Sequence, residues 1–253
     1  MIEPVRIKRI LRRERNASSS PVVAETETGT CFIKLRGAAQ GTLALAAEII
    51  VAELAERIGL KTPPRKLVHL DPATPSDDKN DELAQLLGFS GGLNLGFHLL
   101  EDARNLRADE THLIDEETAS KIAWLDALVM NPDRTAQNPN ILWRRREPWL
   151  IDHGAALGFQ HDWSRVEEAT AQRPYAYDRH LLIARATRPV SPPLTREHIE
   201  AAVAAVPDDF LLPHLGRTPL ARRREAYAAV LWKRLKTHAF RAQMTATKTG
   251  NAS

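Results

Sequence analysis

The sequence predicts an α+β protein in which strands come first and helices follow. Three observations carry that expectation. Residues 5–35 hold three short apolar-rich runs separated by turn residues. A helical apolar period then occupies residues 43–58, and beyond residue 116 helical periodicity dominates, interrupted by one hairpin pattern. Strands and helices do not alternate, which argues against a doubly wound parallel sheet.

The elements follow in order. Residues 5–11 partly alternate apolar and polar, as a half-exposed strand does. Asn16-Ala17-Ser18-Ser19-Ser20-Pro21 breaks the run, residues 21–26 give a second strand, Glu27-Thr28-Gly29-Thr30 a turn, and residues 31–35 a third strand. Three such strands make an antiparallel meander. In residues 43–58, Leu45, Ile49, Leu54 and Ile58 recur at helical intervals, with Glu48, Glu53 and Glu56 among them. Gly59 stands at the expected C-cap, and Pro63-Pro64 forbids the helix to resume. Residues 66–70 read as a fourth strand, 71–80 as a polar loop and 93–100 as a fifth strand. Helices are expected at 116–129, at 195–206 with Thr195 as cap, and at 218–240. Residues 140–143 and 148–151 form two short strands around Arg144-Arg145-Arg146-Glu147. The expected organisation is two-lobed: an antiparallel-sheet lobe with one main helix over 1–102, a mostly helical lobe over 103–245, and a flexible tail over 246–253. A cleft is expected near residues 100–105.

Composition narrows the function classes. The chain has 253 residues, 43% of them hydrophobic, which suits a globular core. Lys and Arg number 35 against 32 Asp and Glu, so the net charge of +3 makes a weak case for nucleic acid. Arg144-Arg145-Arg146 and Arg222-Arg223-Arg224 read as solvated faces. A single cysteine, Cys31, allows no intrachain disulfide and reads as a small hydrophobe in the sheet. The nine His have no zinc-ligand spacing, and the five Trp read as packing residues. The N-terminus has no apolar signal core, and no run approaches the roughly 20 apolar residues of a membrane span. The expectation is a soluble, cytoplasmic protein.

The chemistry concentrates in Asn131-Pro132-Asp133-Arg134-Thr135-Ala136-Gln137-Asn138 and Leu150-Ile151-Asp152-His153-Gly154. An Asp, an Asn five residues on and a second Asp fourteen residues later, with a hairpin between, is the set phosphoryl transfer needs. One carboxylate orients the attacking hydroxyl, and the Asn and the other carboxylate hold Mg²⁺ on ATP phosphates. Taken alone, Asp133 beside Arg134 reads as a surface ion pair, and Asn138 and Asn140 as turn formers. Asp152 is harder to dismiss, because it ends an apolar strand, where a carboxylate is costly unless paired or metal-bound.

With these residues in view, residues 124–159 resemble the HipA-like branch of the protein-kinase-like superfamily, whose lipid-kinase relatives share the Asp-Arg…Asn…Asp-x-Gly pattern. Ile141-Leu142-Trp143 and Leu150-Ile151-Asp152-His153-Gly154-Ala155-Ala156-Leu157 look most like the small single-domain HipA-like proteins. The resemblance implies a protein-kinase-like two-lobed fold with ATP and Mg²⁺ as cofactors. It makes Asp133 the catalytic-loop Asp, Asn138 and Asp152 the metal ligands, and Arg134 a structural residue. Lys34 then fits the phosphate Lys, with Glu48 as its helix partner by HipA-like placement and Glu53 as the alternative by spacing. Ser18, Ser19 and Ser20 fall in the phosphate-covering loop, which lacks Gly and offers sites for self-phosphorylation. Leu100, Glu101 and Asp102 fall at the adenine-facing connector. His153 stands where ordinary kinases have Phe, Thr135 where lipid-kinase relatives often have His, and no Ala-Pro-Glu follows. The chain is also shorter than a full HipA toxin. The implied activity is transfer of the γ-phosphoryl group to a protein Ser or Thr hydroxyl, with an antitoxin-like or regulatory partner possible. The alternatives are a small-molecule or lipid kinase of the same fold, and a non-catalytic ATP-binding or partner-binding module.

Overall fold

The computed structural model describes residues 3–14, 20–38, 41–166, 171 and 173–237. Ser18, Ser19 and the expected tail over 246–253 lie outside these. The chain divides into two compact units, one of Met1–Leu45 with Pro63–Glu101 and one of Ala46–Thr62 with Asp102–Ser253.

In the first unit, β1 (Val5–Arg13), β2 (Val22–Thr26), β3 (Gly29–Lys34), β4 (Arg65–Leu70) and β5 (Gly92–His98) close into a barrel in the order β1-β2-β3-β5-β4. The sequence suggested an antiparallel sheet. Four of the five pairings are antiparallel, but β1 also meets β4 in parallel, Val5 opposite Val68 and Arg6 opposite His69, and this short ladder closes the barrel. Register shifts in β1 explain its imperfect alternation. Ile7 and Ile10, three apart, both face the core because the pairing slips between Ile7 and Arg9. The core also takes Val22, Ala24, Cys31, Ile33, Val68 and Leu70, so Cys31 is a small buried hydrophobe as expected.

A helix the sequence reading left out, α2 (Asp81–Phe89), covers this core with Leu83 and Leu87. Its signal lies in the polar loop before it: the Asn80 side chain accepts from the Leu83 N–H at 3.1 Å, and Asp81 and Glu82 occupy the first turn.

The helix labelled α1 (Thr42–Arg57) is buried along most of its length, and the division between units falls inside it, after Leu45. It stops at Gly59, whose φ of 81° only Gly takes without cost; the Leu60 N–H returns to the Ala55 carbonyl at 3.0 Å. The second unit continues with β6 (Arg104–Asn105), α3 (Glu116–Leu128), β7 (Ile141–Arg144), β8 (Glu147–Leu150), α4 (Arg196–Ala204), α5 (Asp208–Leu211) and α6 (Leu220–Thr237). Strand β6, absent from the sequence reading, pairs with β7. Arg145 and Arg146, at φ 49° and 65°, form the β7–β8 turn. Asp115 caps α3, and Thr195 caps α4 by accepting from the His198 N–H at 3.3 Å.

The basic run on α6 is not wholly a solvated face. Arg223 is buried, 4.4 Å from the Trp163 ring, and Arg224 bonds the Val203 and Val206 carbonyls. Arg234, fully buried, donates through Nε (2.9 Å) and Nη2 (2.6 Å) to the Ala127 carbonyl. A cation there meets the negative end of α3. Among the described residues, no helix is long and apolar enough to cross a membrane.

Candidate active site

The site is built where α3 ends. From Ala119 to Leu128 every residue but Lys121 is buried, and from Ile122 onward the helix has no solvent face to take a charge. Asp126 nevertheless sits in it, fully buried, and both its oxygens are occupied. Oδ2 takes the Arg134 Nε at 2.6 Å and lies 2.9 Å from His180 Nε2; Oδ1 takes the Asn131 Nδ2 at 2.9 Å and Arg134 Nη2 at 3.4 Å. Burial opposes ionisation of this carboxyl, but the Arg134 guanidinium and the His180 hydrogen bond outweigh it and hold it well below the usual carboxylate range. Asp126 was missed by sequence reasoning. A signal was present: a lone carboxylate inside Ile122-Ala123-Trp124-Leu125-Asp126-Ala127-Leu128-Val129 must be paired if the helix is buried.

Arg134 therefore does not form a surface ion pair with its neighbour Asp133. It is 1% exposed, points into the protein, and donates through Nη1 to the Asn140 carbonyl as well as to Asp126. Asp133 turns the other way and is half-buried. Its Oδ2 accepts from Asn138 Nδ2 at 2.8 Å and Asn140 Nδ2 at 3.2 Å. Among the described residues its Oδ1 receives no hydrogen bond. The Asn138 amide donates through nitrogen to Asp133, so its oxygen is turned from that carboxylate and kept for another partner.

The β7–β8 hairpin joins the two halves of the motif. Ile151 N–H donates to the Asn140 carbonyl at 3.1 Å, so the residues entering β7 and those leaving β8 share one end of the hairpin. Asp133, Asn138, Asn140 and Asp152 gather there. The backbone is strained at this end: Met130, Asn140, Asp152 and Leu157 have φ of 54°, 50°, 58° and 57°. Non-Gly residues take such angles seldom, and they concentrate at functional sites. Two residues beyond Asp152, the Gly154 N–H donates at 2.9 Å to Oε1 of Glu48, which is 1% exposed. Glu53, the alternative, is only half-buried.

The remaining sequence candidates belong to β3, to the stretch before β2 and to the chain after β5. Lys34 ends β3 on the barrel face opposite Cys31 and Ile33, yet is only 8% exposed. Ser20, at φ 46°, accepts from Arg13 Nη2 at 2.7 Å. Leu100 is half-buried, while Glu101 and Asp102 are exposed in a turn, where the chain passes from the first unit to the second. Beside the Asp133 loop lies a cavity of ≈ 630 Å³, bordered by Pro132, Phe159, Arg173, Tyr175, Arg179 and His180 among others.

The donor set fits a hard cation. Asn138 and Asp152 offer amide and carboxylate oxygens, the ligands Mg²⁺ takes together with phosphate oxygens and water. Among the described residues no three His, Cys, Asp or Glu side chains cluster as a dedicated metal cage, which a shared Mg²⁺–nucleotide site does not require.

Comparison with known proteins agrees with the motif. The family model described as HipA-like kinase matches residues 7–244. No curated protein matches the chain. Among solved structures, the crystal structure of a Helicobacter pylori proinflammatory kinase, CtkA, is similar over 94% of this chain and 99% of that one, at 10% identity and a TM-score of 0.45.

Proposed function

The chain belongs to the HipA-like kinase family, and from that premise we propose that it transfers the γ-phosphoryl group of Mg²⁺-bound ATP to a Ser or Thr hydroxyl of a protein. The observation that carries the reading is the state of Asp133. Two amides hold one carboxylate oxygen and leave the other for an incoming hydroxyl, at the hairpin end that also bears Asp152.

In this reading the nucleotide brings the phosphoryl group and Mg²⁺ neutralises its charge, while the chain positions. Asp133 Oδ1 accepts the hydrogen bond of the acceptor hydroxyl and aims its oxygen at the γ-phosphorus. Asn138 and Asp152 hold the metal through oxygen. Lys34 is the phosphate-binding ammonium. Glu48 is preferred to Glu53 as the helix carboxylate, because it is Glu48 that is buried and tied to Gly154. The cavity beside Pro132 is the seat for the acceptor-bearing segment, being next to the loop that presents Asp133.

Labelled γ-phosphate transfer, read as both self-labelling and ATP loss, tests this. Asp133→Asn is expected to lower turnover by about 10²- to 10⁴-fold while Mg²⁺–nucleotide binding persists. Asp152→Asn is expected to lose metal-dependent nucleotide binding. Turnover unchanged in Asp152→Asn would sink the assignment.

A further inference from the structure

We propose that Asp126 and His180 are positioning residues for phosphoryl transfer, acting on Asp133 through a buried knot with Asn131 and Arg134. The inference rests on the catalytic reading of Asp133 given above.

Two separate hydrogen-bond routes run from Asp126 to Asp133. On the first, Asn131 bridges: its Nδ2 donates to Asp126 Oδ1 at 2.9 Å, and its Oδ1 accepts from the Asp133 N–H at 3.1 Å. This fixes the Asp133 backbone. On the second, Arg134 reaches from Asp126 Oδ2 to the Asn140 carbonyl, and Asn140 Nδ2 donates to Asp133 Oδ2 at 3.2 Å. This fixes the Asp133 side chain. Backbone and carboxylate are thus both referred to one oxygen pair on a buried helix, a more rigid reference than the loop itself.

His180 completes the knot from a distant stretch of chain. The Leu182 N–H points at His180 Nδ1 at 3.1 Å, so that nitrogen is an acceptor and the ring proton sits on Nε2, which donates to Asp126 at 2.9 Å. The Asp126 carboxylate thus holds the Arg134 guanidinium and the His180 ring together in the buried site. Around it, the Leu181 N–H donates to the Arg134 carbonyl at 3.0 Å and the Tyr175 hydroxyl to the Asn131 carbonyl. Residues 175–182 therefore buckle onto residues 126–134 through three bonds, with a fourth, from the Leu182 N–H to His180, inside the buckle. Loss of the Nε2 donor loosens the buckle and, with it, the aim of Asp133. A displacement of about 1 Å at a reacting group costs on the order of 10²-fold in rate.

His180→Asn and His180→Gln separate positioning from bulk structure. The shorter Asn keeps an acceptor for the Leu182 N–H but does not span to Asp126; Gln carries its amide N–H to the place of Nε2. The measurements are amide hydrogen exchange over residues 131–140, Mg²⁺–ADP affinity, and kcat and KM for ATP consumption. For His180→Asn we expect exchange over 131–140 to rise at least about 10-fold while the barrel peptide 22–35 is unchanged. Nucleotide affinity stays within about twofold, and kcat falls about 10- to 100-fold with KM steady. His180→Gln restores both the exchange and the rate. Wild-type exchange over 131–140 in folded His180→Asn overturns the proposal, as does a Gln variant no better than Asn. If His180→Asn does not fold, Asp126→Leu with Arg134→Met tests the same link without stranding a buried charge. Asp133→Asn in the same assay keeps the two readings apart: wild-type turnover there defeats the catalytic assignment, whereas the exchange data judge the knot regardless of turnover.

Discussion

The barrel and the Asp133 loop hold their shapes by opposite means. In the barrel, Ile7, Ile10, Val22, Cys31, Ile33 and Val68 interdigitate, and any residue of similar size and polarity serves. At the loop, a carboxylate, a guanidinium, an imidazole and two carboxamides are buried together, each defined by a partner at 2.6–3.4 Å. Apolar packing is tolerant and additive. A buried polar knot is neither, because removing one member leaves another desolvated and unsatisfied. The region that needs one geometry is built from the interaction that permits only one.

The sharpest way to break that comparison is Asp126→Ala. It strands the Arg134 guanidinium in a fully buried site, and a loss of about 3–5 kcal/mol is expected by denaturant unfolding. Removing both charges, as Asp126→Leu with Arg134→Met, is expected to cost less than the single change, although Asn131 and His180 lose their acceptor. The pair also sets an acid-side dependence. The Asp126 pKa is depressed in the folded state, so its contribution is complete above the ordinary Asp range and is lost as pH falls through and below that range. Stability of the wild type should therefore decline on acidification more steeply than that of the double variant. Equal acid dependence in the two would show that Asp126 is not the group responsible.

In the barrel the matching cut is Ile33→Ala. Ile33 is fully buried, and its removal is expected to cost about 3 kcal/mol by lost burial and a residual cavity. What differs is the repair. Val or Leu at position 33 should recover most of the loss, whereas no substitution short of a carboxylate serves at 126. Stability restored by Leu at 126 with Arg134 intact would contradict the distinction.

This contrast also explains what the sequence made legible. Periodicity located β1 to β5, α1, α3 and the β7–β8 hairpin, because each buries apolar residues at a regular interval. It missed α2, nine residues long with its start marked only by Asn80, and β6, two residues long. Barrel closure was invisible, since it depends on a parallel contact between β1 and β4 across some sixty residues of chain. At the site, spacing singled out Asp133, Asn138 and Asp152, and the structure gathers them at one end of the hairpin. The supports were harder to see. Asp126 was detectable as a charge in an apolar helix. His180 was not: it lies 54 residues from Asp126 and carries no local pattern, and only the folded chain brings it to the carboxylate. Arg223 and Arg234 show the same limit, for a basic helix looks solvated until its neighbours supply a Trp face or an open helix end.

The smallest expected effect tests the claim that burial, not charge pairing as such, gives the Asp126–Arg134 bond its weight. Arg9 and Asp77 form an ion pair at 3.4 Å in the barrel unit, with side chains 52% and 50% exposed. Water screens both charges, and ordering two flexible side chains offsets much of the attraction. The backbone bond from the Asp77 N–H to the Ile10 carbonyl, at 2.9 Å, survives truncation of the side chain. Asp77→Ala is therefore expected to change stability by less than about 1 kcal/mol, and any loss should shrink further in salt. A loss comparable to that of Asp126→Ala would mean that the pairing of charges, exposed or not, governs stability here, and the contrast between the two regions would fail.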